Sequence, residues 1–136
     1  MVFLDANTLI YYLDESAEKY LSTINLLQKL VDEQEQIVTS HHVLEEVLFV
    51  VSKIQPDIDL IKVVKRIGEL PGIILVEPSP HIAFAKRYVT LRSKLHLGIN
   101  DALLLQLMID ANIPTLFSYD EQLANKAKQL GIERIV

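Results

Sequence analysis

Four acidic residues of this sequence stand where an acid is costly or unexpected. Asp5 follows Met1-Val2-Phe3-Leu4, an apolar run without polar alternation that reads as a short buried strand. Asp120 ends "IPTLFSYD" in the same way, with Ser118 two residues before it. Glu46 belongs to "SHHVLEEVLFVVSKI". At about 100° per residue, Val43, Val47, Val50, Val51 and Ile54 form its buried stripe. Glu45 points away from that stripe and Glu46 borders it. Asp101, in "GINDALLLQLMID", falls on a helical wheel between Leu105 and Met108, away from Gln106 and Asp110, which mark the solvent face.

Each acid has a plain structural use. Asp5 and Asp120 suit helix N-caps, Asp101 suits a first helical turn behind an Asn100 cap, and Glu46 suits a boundary position with its head in water. Together they suggest more. Two carboxylates roughly 6 Å apart repel by about 3 kcal/mol at an effective dielectric near 20. A converging set must therefore be protonated in part or share a divalent cation. All-oxygen ligation selects Mg²⁺ or Mn²⁺ over zinc. Such an ion suits phosphodiester hydrolysis, because it activates water, orients phosphate and stabilises the leaving oxygen. Other chemistry lacks its residues: there is no cysteine, no Gly-x-Ser-x-Gly elbow and no Gly-rich phosphate loop. "AKRYVTLRSKLH" is the densest basic segment. Its Arg87, Arg92 and Lys94 are candidates to hold a nucleic-acid backbone, although each also suits a solvated helix face.

The surrounding elements must bring these residues together. Strands are predicted at Met1–Leu4, Gln36–Thr39, Ile73–Val76, Thr115–Phe117 and Glu133–Val136. Helices are predicted at about Ala17–Val31, His42–Ile54, Ile58–Leu70, Ile82–Leu95, Asn100–Ala111 and Glu121–Leu130. Alternation of this kind implies a three-layer α/β/α sandwich around a parallel sheet of four or five strands. In such sheets ligands bind beyond the carboxyl ends of the strands, where the crossovers diverge. The chain has 136 residues, half of them hydrophobic, and a net charge of −5. One domain spanning residues 1–136 is expected. The charge excludes a protein that coats nucleic acid by electrostatics alone, but not an acidic metal site acting on a phosphodiester. Neither a secretion signal nor an apolar run long enough to span a bilayer is evident, so a soluble, cytoplasmic protein is expected.

At these residues the sequence resembles the PIN-domain family, especially the VapC-type toxins of toxin–antitoxin pairs. "FLDANTLIYYLD" resembles the first block, "VTSHHVLEEVLFVV" the second with its acid at Glu46, "GINDALLLQLM" the third and "TLFSYDEQL" the fourth. The resemblance runs the whole length. It implies a Mg²⁺- or Mn²⁺-dependent endoribonuclease with Asp5, Glu46, Asp101 and Asp120 as catalytic metal ligands. Asn7 and Ser118 match small polar positions that orient the metal site, Ser118 standing where threonine is common. The family resemblance further implies RNA as substrate, frequent homodimers and inhibition by a small antitoxin. The family also holds RNA-processing and decay nucleases that are not toxins, and a catalytically inactive protein-binding module is a further alternative. A signalling receiver domain fits less well, because Asp5 is followed by Ala-Asn and Val76 by Glu77-Pro rather than by the acids such a domain needs.

Overall fold

A computed structural model describes residues 1–136. Five short strands alternate with helices: β1 (Val2–Leu4), β2 (Ile37–Thr39), β3 (Ile74–Leu75), β4 (Thr115–Phe117) and β5 (Glu133–Ile135). All neighbours pair in parallel, in the order β3-β2-β1-β4-β5. The expected α/β architecture is therefore observed. Apolar runs make the central strands: every residue of β1 and β2 is buried, as are Leu116 and Phe117 of β4. A strand covered on both faces needs no polar alternation.

The helices are α1 (Ala6–Leu13), α2 (Tyr20–Asp32), α3 (His41–Ile54), α4 (Leu60–Gly68), α5 (Ile82–Leu95), α6 (Ile99–Asp110) and α7 (Glu121–Gln129). From β1 the chain moves outward through β2 to β3, then crosses back past β1 to β4 and β5. Right-handed crossovers running in opposite directions lie on opposite faces of the sheet. Accordingly α1 packs with α2, α3 and α4, whereas α5 packs with α6. The strand order reverses between β1 and β4, which opens a crevice at their carboxyl ends. No helix is long and apolar enough to cross a membrane.

Four details differ from the expectations above. Asp5 opens a complete helix, α1, which the predicted set left out; its eight residues leave little room for a periodic pattern to register. On α3 only Val43 and Val47 are fully buried. Ile54 is 69% exposed, because α1 ends at Leu13 and the last turn of α3 borders a groove of about 360 Å³ instead of packed core. On α6 Gln106 is buried instead of solvated. The packing of α5 on α6 covers it, and its Nε2 donates to Asp110 Oδ1 at 2.9 Å. Asn100 lies inside the first turn of α6, whose N-cap is Gly98.

Candidate functional site

Register brings the ends of β1 and β4 side by side, with Leu4 opposite Phe117. The next residues, Asp5 and Ser118, therefore emerge together into the crevice. Asp5 is 4% exposed and Ser118 fully buried. The Asp5 carboxylate has two donors: the Thr8 N–H to Oδ1 at 3.1 Å, which caps α1, and the Ser118 hydroxyl to Oδ2. Ser118 Oγ in turn accepts the Asp120 N–H at 3.0 Å and lies 3.5 Å from the Asn7 amide nitrogen. Asn7 Oδ1 accepts the Tyr119 N–H at 3.1 Å. Asn7 and Ser118 thus stitch the start of α1 to the turn between β4 and α7.

Asp120 caps α7, its Oδ1 accepting the N–H groups of Gln122 and Leu123. A cap of this kind uses one carboxylate oxygen and aims the other away from the helix. Both strand-end acids are therefore true caps. The capping role does not exhaust them, because neither neutralises its charge.

Burial pushes the Asp5 carboxyl up to about 6; the hydrogen bonds from Ser118 and Thr8 oppose the rise and the charge of Asp120 adds to it. Asp101, half-buried between the fully buried Leu105 and Met108, is raised above the usual carboxylate range by burial first, then by the charges of Asp120 and Glu46. The charge of Asp120 thus acts on both Asp5 and Asp101, and that of Glu46 on Asp101. None of them takes part in an ion pair. Glu46 and Asp120 are exposed, and Glu46 reaches this electrostatic group from the rim instead of from the core edge.

The donor set is wholly carboxylate oxygen, and its buried member, Asp5, has no compensating cation. Those properties fit a hard divalent ion and no softer metal. The side chains are nevertheless not gathered into a tight preformed shell: no three acidic or histidine residues meet at single-ion spacing.

The basic candidates behave differently from one another. Arg87 is committed, its guanidinium pairing with Asp110 at 2.7 Å beside the Phe84 ring. Arg92 and Lys94 are exposed in the last turn of α5 and form no ion pair. Three residues singled out by no motif also shape the crevice. The Thr8 hydroxyl donates to the Phe117 carbonyl at 2.8 Å, and that of Thr39 to the Leu4 carbonyl at 2.9 Å. Arg134, on β5, donates through Nε to the Ser118 carbonyl at 3.0 Å and pairs with Glu121 at 2.9 Å. It therefore holds the β4–α7 turn on both sides of Asp120. Nothing local in Glu133-Arg134-Ile135 points Arg134 at a site sixteen residues upstream.

Comparison with known proteins bears on the fold and family. A family model described as the PIN domain matches residues 2–129. VapBC2 from Rickettsia felis, solved bound to a DNA fragment from its promoter, superposes with a TM-score of 0.65 at 22% identity, covering 99% of this chain and 98% of that one. VapC20 from Mycobacterium tuberculosis, described as a Sarcin-Ricin loop cleaving toxin, gives 0.64 at 13% identity, covering 92% and 94%. At those identities the likeness is one of fold. No curated protein matches the sequence.

Proposed function

This chain belongs to the PIN-domain family, and from that premise we propose that it is a metal-dependent endoribonuclease, the toxin of a type II toxin–antitoxin pair. The observation that carries the reading is the uncompensated group of acids around Asp5. A buried carboxyl with a pKa near 6 and no cation partner is a standing cost that metal binding would turn into affinity.

Asp5, Glu46, Asp101 and Asp120 would hold Mg²⁺ or Mn²⁺, directly or through water. When bound, the ion supplies an activated water and charge stabilisation at the phosphate. The protein supplies orientation. The Ser118 hydroxyl fixes Asp5, its oxygen fixes the Asp120 backbone, and Asn7 ties both to α1. Hydrogen bonds to ligating carboxylates commonly set metal affinity as strongly as the ligands' own geometry.

The toxin assignment draws on the likeness to VapBC2 and VapC20. It brings RNA as substrate, a small antitoxin as partner, a homodimer as the assembly, and the cytoplasm as the place of action. Residues 1–136 would act as one nuclease domain. Cleavage of RNA in Mn²⁺, with and without EDTA, tests the reading on wild type, Asp5→Asn and Asp101→Asn. Loss of cleavage in EDTA and in both variants is expected. Unchanged cleavage by both variants would overturn it.

A further inference from the structure

Beside the acids lies a second group of side chains that the metal site does not use. Tyr119 sits between Ser118 and Asp120, and its backbone N–H is held by Asn7. Its hydroxyl meets Thr23 Oγ1 at 2.9 Å and Ser22 Oγ at 3.3 Å, which ties it to α2. The Tyr11 ring packs edge-on against it, centroids 5.2 Å apart at 87°. Tyr11 lies one helical turn after Asn7 on α1 and so shares the crevice-side face. It is half-buried, and its hydroxyl has no protein partner. Lys19 stands at the N-terminus of α2 with its ammonium 5.7 Å from the centre of the Tyr119 ring. It is exposed and pairs with no carboxylate.

A surface of net negative charge that binds a polyanion needs cations placed at the substrate's path. Arg87 is occupied by Asp110, and Arg134 by Glu121. Arg92 and Lys94 stand free on α5; Lys19 is also uncommitted and is joined, through Tyr119, to the residues that flank Asp120. Aromatic rings beside an unpaired ammonium are the usual composition of a single-stranded nucleic-acid subsite, because every base offers a face to stack.

Resting on the nuclease reading, we infer that Tyr11, Tyr119 and Lys19 form a nucleotide subsite next to the acids, in which an unpaired RNA base packs against Tyr11 while Lys19 holds a phosphate. Tyr119 is the wall that positions both. The substrate strand then approaches over the α1–α2 side of the crevice.

The test uses the full chain, a fluorophore-labelled single-stranded RNA of mixed sequence, and bis(p-nitrophenyl) phosphate as an ester without a base. Tyr11→Ala is expected to raise KM for RNA about tenfold, the lower range of a lost stacking contact. Its loss on RNA should exceed its loss on the small ester by a similar factor. Lys19→Gln should raise KM and reduce the slope of log KM against log salt by about one, the signature of a single phosphate contact. Equal losses on both substrates, or an RNA KM and salt slope unchanged in both variants, would overturn the subsite. RNA binding followed by anisotropy in Ca²⁺, without turnover, separates the two readings. Binding that needs Tyr11 and Lys19 but leads to no Mn²⁺-dependent cleavage keeps the subsite and refutes the nuclease. Cleavage with unaltered KM in both variants does the reverse, and a wild type that neither binds nor cleaves refutes both.

Discussion

Replacing Asp5 by asparagine should stabilise the metal-free protein at neutral pH, against the usual effect of altering a buried, hydrogen-bonded residue. The Asp5 carboxyl titrates near 6 in the folded protein against 3.8 as its ordinary value. The difference corresponds to about 3 kcal/mol at about 1.4 kcal/mol per pH unit. Its sign follows from proton counting. Between pH 3.8 and about 6 the folded state holds more protons at this site than the unfolded state, so stability falls as pH rises through that window and the penalty is complete above it. Asparagine carries no charge to bury, and its Oδ1 caps a helix as well as aspartate does. It loses one hydrogen bond, because Ser118 Oγ already accepts the Asp120 N–H and its proton would face the new amide. That loss costs about 1–2 kcal/mol. The variant should therefore be about 1–2 kcal/mol more stable than wild type at pH 8 and less stable by about the same amount near pH 4. Urea unfolding at both pH values, in EDTA, measures the swing. A difference between the two proteins that stays within about 0.5 kcal/mol across the range would refute the claim that burial governs Asp5.

Other substitutions probe the support of the site. Ser118→Ala removes the donor to Asp5 and the acceptor for the Asp120 N–H and should cost about 2 kcal/mol in urea unfolding, whereas Ser118→Thr keeps the hydroxyl and should cost about 1 kcal/mol for the methyl it adds at a fully buried position. Arg134→Ala releases both the Ser118 carbonyl and Glu121. Stability should fall by about 1 kcal/mol, and kcat for RNA should fall with KM little changed. Arg134→Lys, with one donor group, should recover only part of the loss. Leu105→Ala opens a cavity beneath Asp101, where Leu105 is fully buried, and should lower unfolding stability by about 2–5 kcal/mol.

Much of this site is readable from the chain, and the limits have physical causes. An apolar run ending in an acid marks β1 and Asp5, and likewise β4 and Asp120, because a strand covered on both faces has no other reason for abrupt polarity. Asp101 is legible because it breaks an apolar face, and Leu105 and Met108 do flank it. Glu46 is less so. The wheel separates it from Glu45, yet both are exposed, and only the repulsion between Glu46 and Asp101 distinguishes them. Gln106 misleads because side-chain polarity predicts solvent only where no neighbouring helix covers it, and α5 does. Arg134 and Tyr119 are silent for another reason: their roles come from partners far along the chain, the Ser118 carbonyl for one and Asn7 and Thr23 for the other. Periodicity reports what a residue faces, not which distant atom it reaches.

The central claim is that the acids around Asp5 exist to hold a divalent cation. Calorimetric titration of Mn²⁺ into the metal-free protein at pH 7.5 tests it directly, with Asp101→Asn as the comparison. The account predicts saturable uptake by wild type and an affinity lower by at least about tenfold in the variant. Repeated near pH 6, the titration should also release protons, because a carboxyl raised to about 6 is then about half protonated. No uptake by wild type, or equal uptake by the variant, would contradict it.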